Sequence, residues 1–249
     1  PSRSSYLLEA NFTFLDIEAE KEEDSSNVAA RTAREELLKI IRLTFYRTLK
    51  GPSCTVHSRL VQQFRESDSV ISYNYDILVD NALFNDNKLN EKNYLVPFRR
   101  VFYQGGWMSP RQPVSGMKLI KLHGSLNWLH CKKCSSLLCF LGEKTPEDYS
   151  SGQPTLVNCP HCNSNELEYL LIPPILYKRY NLPGMPHLWE EAEAELSKAD
   201  RVVVIGYSLP PTDFRSELLF RSALGARDFA MDIVNPQKRV LNRFKSICR

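Results

Sequence analysis

The stretch DRVVVIGYSLP, residues 200–210, is a continuous run of Val and Ile that stops at Gly206 and continues into Ser208, Leu209 and Pro210. Such a run is apolar on both of its faces, the pattern of a strand in a parallel sheet covered on both sides. DFAMDIVNP (228–236) resembles it, SVISYNYD (69–76) is β-branched and aromatic, and MKLIKLHGS (117–125) alternates before ending on a glycine. Helical patterns lie around these runs. LWEEAEAELSKA (188–199) directly precedes the first of them. VAARTAREELLKIIRLTFYRTL (28–49) sets Leu37, Leu38, Ile41, Leu43 and Phe45 among charges at helical spacing, with Gly51 and Pro52 as its stop. The alternation predicts an α/β fold with a doubly wound, mostly parallel, Rossmann-like sheet. Ligands of such sheets bind beyond the carboxyl ends of the strands. The polar residues after each run are therefore expected to collect in one crevice: Asn74 and Asp76, His123 and Ser125, Ser208 and Asp213, and Asn235.

The rest of the composition narrows the class. At 249 residues, 43% hydrophobic and 24% charged, the chain is neither disordered nor collagen-like. It contains no apolar run of about 18 residues, so no membrane span is expected. A net charge of +3 gives little support to nucleic-acid binding. The seven cysteines, at 54, 131, 134, 139, 159, 162 and 248, are odd in number and clustered, which argues against a secreted disulfide scaffold. With no leader pattern, a cytoplasmic setting is expected. The acidic run from Glu18 to Asp24 reads as a solvated face or loop. Ten glycines are present, the first at Gly51, and the chain opens at Pro1 without a methionine. The natural start is expected to lie upstream.

Cys131-Lys-Lys-Cys134 and Cys159-Pro-His-Cys162 form two C-x2-C pairs with 24 residues between them. Each knuckle brings two thiolates to one ion, and two knuckles complete a tetrahedral all-sulfur site. Zinc suits this donor set better than iron, and four filled positions make the ion structural. Cys139, His130 and His161 are nearby spares. GEKTPEDYSSGQP (142–154) reads as a long loop, so the ion is expected to substitute for a hydrophobic core. Cys54 and Cys248 read as structural or incidental, Trp128 and Trp189 as packing residues, and His57 and His187 as structural or exposed.

Taken together and in order, these residues resemble the sirtuin superfamily, especially its microbial sirtuin-like branch. Ser72-Tyr-Asn74-Tyr-Asp76 is similar to the family's T-Q-N-x-D strand end, and Lys121-Leu-His123-Gly124-Ser125 to the motif that carries its histidine. The cysteine pairs stand at the place of its zinc module. Gly206-Tyr-Ser208-Leu209 with Pro210-Pro-Thr-Asp213 is similar to the G-x-S-L cofactor segment, and Ile233-Val-Asn235-Pro to a late ribose-contacting strand. The resemblance implies NAD as co-substrate and cleavage of its nicotinamide–ribose bond through an oxocarbenium-like cation. It implies His123 as base on a ribose hydroxyl, Asn74 as the residue placing the ribose and an attacking water, and Asp76 at the carboxamide. Ser208 and Asn235 would hold the phosphate–ribose part, with Ser72, Gly124, Ser125, Gly206 and Asp213 completing the cofactor contacts. Read without the family, Asn74 and Asp76 could equally cap the helix that follows.

Three departures shape the functional expectation. Tyr73 stands where deacylating members carry glutamine. LLIPPILYKRY (170–180) replaces the R-P-x-V-x-F-G-E stretch that lines their acyl-lysine channel. The family's opening strand and G-A-G-x-S phosphate turn have no counterpart here. Asn127 and Trp128 complete the KLHGS-x-NW pattern of microbial members that deplete NAD, often in antiviral defence. The leading expectation is NAD glycohydrolysis, with NAD-dependent lysine deacylation and a non-catalytic nucleotide-binding scaffold as alternatives. The expected organisation is a helical module over 1–60, a Rossmann-like NAD-binding domain over 61–126 and 171–249, and an inserted zinc ribbon over 127–170. A homo-oligomer or a fused or partner effector domain is the expected association.

Overall fold

The computed structural model describes residues 3–19, 21, 25–49, 54–142, 158–173, 175, 178, 182–225 and 227–247. Most of the acidic run, the Gly51-Pro52 stop, the loop from residue 143 onward and Cys248 lie outside the described residues. The chain forms two compact units. One comprises Glu35–Pro173 and Arg179–Leu188; the other comprises Pro1–Arg34, Pro174–Lys178 and Trp189–Arg249.

In the first unit, α2 (Ser25–Leu49, which begins in the other unit) and α3 (Thr55–Val61) lead into β1 (Ser69–Ser72). β1 pairs in parallel with β4 (Lys118–Lys121), in register from Ser69 opposite Lys118 to Ser72 opposite Lys121. The connection between them carries α4 (Leu78–Asn85), a 3-10 turn (Glu91–Tyr94) and the hairpin of β2 (Arg100–Tyr103) and β3 (Gly106–Met108). Gln104 and Gly105 form its two-residue turn, both at positive φ (50° and 84°), the conformation that matches strand twist in tight hairpins. β5 (Gly124–Cys131), β6 (Leu137–Phe140) and β7 (Leu167–Leu171) join that hairpin in a five-stranded mixed sheet of order β3-β2-β6-β5-β7. Phe102, Leu129, Leu138 and Phe140 are buried together, with Trp107, Leu167 and Tyr169 packed around them. The strands bearing the cysteines therefore have a hydrophobic core of their own. The expectation that an ion substitutes for a core is corrected to the two knuckles alone.

In the second unit, β8 (Arg201–Ile205) and β9 (Ala230–Val234) pair in parallel, Val203 opposite Asp232 and Ile205 opposite Val234. Helix α5 (Met185–Lys198) runs directly into β8 and buries Trp189, Ala192 and Leu196. Helices α6 (Phe214–Leu224) and α7 (Lys238–Ile247) meet edge-on through Phe220 and Phe244, ring centroids 5.2 Å apart. Asp16 of α1 (Arg3–Glu18) and Arg34 of α2 form an ion pair at 2.5 Å. The α/β class with parallel strand pairs is thus observed. Burial on both faces of β8 is not. Val202 and Val204 are buried while Val203 is 50%, Ile205 54% and Val234 58% exposed. Strand side chains alternate between faces, so an unbroken apolar run states a preference for a second covering layer and cannot supply one.

Candidate active site and metal centre

Ser72, Asn74, Asp76, His123, Gly124 and Ser125 come together at the carboxyl ends of β1 and β4. The parallel ladder continues past both strands. Leu122 N–H donates to Ser72 O (3.0 Å), and Leu126 N–H donates to Tyr75 O (2.9 Å). Ser72 Oγ accepts from the backbone of Asn74 (3.2 Å), which turns the chain at the strand end and leaves Asn74 exposed. Asp76 Oδ1 accepts from Leu78 N (3.0 Å), a side-chain turn just ahead of α4, whose N-cap position is Ile77 and carries no side-chain cap. His123 is 6% exposed, with Tyr73 edge-on to its ring (centroids 5.2 Å) and Tyr75 tilted beside it (6.4 Å). Its carbonyl accepts from Ile172 N (2.9 Å), and the Tyr75 hydroxyl donates to Ile172 O (2.5 Å). The histidine loop, the Asn74 strand end and the segment after β7 are therefore fastened to one another. Ser125 is wholly buried, and its hydroxyl has no hydrogen-bond partner among the described residues. A buried orphan hydroxyl is costly without a ligand or water to complete it.

Gly124 makes the close approach possible. It sits at φ +81°, and a Cβ there would lie 1.9 Å from the carbonyl oxygen of Leu170, a backbone atom that cannot swing away. Gly124→Ala is expected to lower stability by about 3 kcal/mol, from left-handed strain plus displacement of β7. Thermal melting should fall by about 6–12 °C, and an unchanged Tm would show that the loop adapts.

Gly206, Ser208, Asp213 and Asn235 lie in the other unit, at the carboxyl ends of β8 and β9. Asn235 Nδ2 donates to Gly206 O (3.3 Å), and its Oδ1 accepts from Gln237 N (2.9 Å). Arg243 Nη1 donates to Ser208 O (3.5 Å) and to Leu209 O. Asp213 is buried. It accepts from the Tyr207 hydroxyl (2.9 Å) and is ion-paired to Lys178, whose side chain is 5% exposed and which the departing stretch 170–180 supplies. Nothing in the spacing of the sequence announced that pair.

The four predicted metal ligands form one cluster. Their sulfurs all lie within 4.8 Å of one another, with Cys131–Cys162 at 3.6 Å and Cys134–Cys159 at 3.7 Å. A zinc–sulfur bond of about 2.3 Å in a tetrahedron requires edges of about 3.8 Å, which these two edges match, so the donor set fits zinc. The knuckles share one backbone design. Ser135 N–H donates to Cys131 O (2.8 Å) and Asn163 N–H to Cys159 O (2.9 Å), with Ser135 and Asn163 both at positive φ. Burial alone would raise the Cys134 thiol; hydrogen bonding with Ser136 outweighs it and brings the group down to about 6. The backbone of Ser164 favours the Cys162 thiolate, but burial and the neighbouring thiols push it up to about 12. One thiolate is cheap to form, and the next has to be bought with metal charge. Cys139 takes no part. It lies in β6 opposite Trp128, and burial raises its thiol well above the ordinary range. Trp128 is wholly buried between Tyr94 and Phe98, His130 pairs with Glu168 (3.3 Å), and His187 is exposed.

No protein-family model and no curated protein matches the chain. Solved structures do. A Sir2 enzyme studied for mechanism and regulation is 18% identical over 71% of this chain and 53% of its own, with a TM-score of 0.37. Sir2 in complex with an inhibitor, 2′-O-acetyl-ADP-ribose and a deacetylated p53 peptide is 19% identical over 87% of this chain and 80% of its own (TM-score 0.47). A Sir2 bound to a propionylated peptide is 20% identical over 96% and 75% (TM-score 0.45). The chain thus spans about half the length of the first of these relatives.

Proposed function

We propose that the protein binds NAD and transfers its ADP-ribosyl group to water, releasing nicotinamide. The observation that carries this reading is the meeting of Asn74, Asp76 and a buried histidine, His123, beyond the carboxyl ends of two paired parallel strands. His123 acts as base on a ribose hydroxyl, a task suited to an imidazole near neutrality. Asn74, exposed at the strand end, places the ribose and the water. Asp76, whose Oδ1 is spent on Leu78, turns its second oxygen to the carboxamide. The bond from ribose C1′ to nicotinamide breaks with its electron pair leaving on nicotinamide; the water oxygen bonds C1′ and gives up one proton. The orphan hydroxyl of Ser125 is a group for the nucleotide to complete. In the second unit, Ser208 and Asn235 are proposed for phosphate and ribose, and zinc in the tetrathiolate site serves as a cross-link. Water is favoured as acceptor because stretch 170–180 lacks the acyl-lysine channel motif and commits Lys178 to Asp213. NAD depletion in antiviral defence is the physiological role we infer from the KLHGS-x-NW pattern.

The test is incubation with NAD, with and without an acetylated peptide. Nicotinamide release that needs no peptide supports hydrolysis. Strict peptide dependence replaces it with deacylation, and absence of both release and calorimetric NAD binding leaves a scaffold.

A further inference from the structure

Lys121, the last residue of β4, is wholly buried. A buried ammonium persists only when fully paired. Its Nζ donates to both oxygens of Asp80 on α4 (3.1 and 3.0 Å) and to the main-chain carbonyl of Asp76 (2.5 Å). Asp80 Oδ1 also accepts from the Tyr94 hydroxyl (2.7 Å). The Tyr94 oxygen accepts from Asn127 Nδ2 (3.2 Å), which also donates to Phe140 O (2.8 Å). Five elements are joined by one network in which every donor meets an acceptor, the Tyr94 and Lys121 donors converging on Asp80. Burial, then the charge of Asp80, pushes the Tyr94 phenol well above its ordinary range, so its proton stays in place.

We infer that Lys121 and Asp80 are positioning residues, a buried frame that fixes the Asn74–Asp76 strand end against His123. The catalytic consequence rests on the NAD reading; the frame itself does not. Asp80 alone would satisfy an ion pair, yet Lys121 also reaches the Asp76 carbonyl, a fixed part of the backbone that presents Asn74 and the Asp76 carboxylate. His123 follows Lys121 by two residues on the same strand end. Each half of the candidate site therefore hangs from one ammonium group. None of these residues touches the reacting atoms, so their effect is on alignment.

Lys121→Met alone strands a buried carboxylate and is expected to unfold the unit. The informative protein is the double variant Lys121→Met/Asp80→Asn, which removes both charges while position 80 keeps an acceptor for Tyr94. Expected are a native zinc content and a melting temperature close to native. The amides of residues 74–78 and 122–126 should exchange about ten-fold faster, and kcat for nicotinamide release should fall about ten-fold with little change in KM. A folded double variant with native exchange and native kcat overturns the frame. If the native protein releases no nicotinamide, the NAD reading fails by itself and the exchange measurement still decides the frame. Should the double variant not fold, Tyr94→Phe removes only a hydroxyl and should accelerate exchange in the same two segments; unchanged exchange there overturns the inference.

Discussion

Removing zinc by chelation, or Cys159→Ser, is expected to free the remaining cluster thiols for reaction with a thiol reagent and to lower the melting temperature by about 8–16 °C. The magnitude follows from linkage. A metal held about a thousand-fold below its working concentration contributes about 4 kcal/mol to the folded state. The loss should be partial because the five-stranded sheet keeps its own core of Phe102, Leu129, Leu138 and Phe140. What collapses is the pair of knuckles, where Cys131 and Cys159 begin turns that bury few apolar side chains. The sign of the pH dependence is fixed by the thiols. Without metal Cys162 holds its proton up to about 12, whereas Cys134, at about 6, is ionised at neutrality. Binding zinc therefore expels a proton from Cys162, and affinity rises with pH and falls on acidification. One zinc per chain by elemental analysis, lost as pH is lowered, is the result to look for. Full thermal stability after complete metal removal would reduce the cluster to a spectator.

How much of this was legible in the sequence depends on the range of the interaction. The knuckles could be read because C-x2-C is a local rule, with ligands and turn residues within five positions of one another. The ends of β1 and β4 could be read because a strand pattern stops where a polar motif starts. The β2–β3 hairpin also carries a local signal. Tyr103-Gln-Gly-Gly-Trp107 has glycine between aromatic residues, and Gln104-Gly105 is the turn. The frame beneath the site carried no such signal. Lys121 lies 41 residues from Asp80 and 45 from Asp76, and lysine in an alternating strand is ordinarily assigned to solvent. Only the register of β1 with β4 puts that side chain under α4. Lys178 and Asp213 are another case, since Lys178 stands among Tyr177, Arg179 and Tyr180 with no local pattern that marks it as the buried partner of a distant carboxylate. The run Val202–Ile205 is the opposite case: its local apolar pattern is plain, but the layer above Val203 and Ile205 is not a local property, and both are exposed.

His123→Ala is expected to reduce NAD turnover by about 10²–10⁴-fold while leaving one zinc per chain and the fold in place. The separation of the two effects is what the geometry makes testable. The backbone at His123 is held by its carbonyl, which accepts from Ile172 N, and by Gly124 pressed against Leu170; neither depends on the imidazole. The ring packs only partly through Tyr73 and Tyr75, so its loss costs some packing but no strand pairing. The cysteine cluster begins at Cys131, the far end of β5, and keeps its own hydrogen bonds. His123→Gln controls for the cavity, since it restores volume and a polar group without an imidazole's proton exchange near neutrality. Both variants should melt within a few degrees of the native protein and bind NAD with similar affinity. Loss of kcat at unchanged affinity places the imidazole in the chemical step. Turnover that survives in both variants removes His123 from catalysis and returns it to the packing of the two tyrosines.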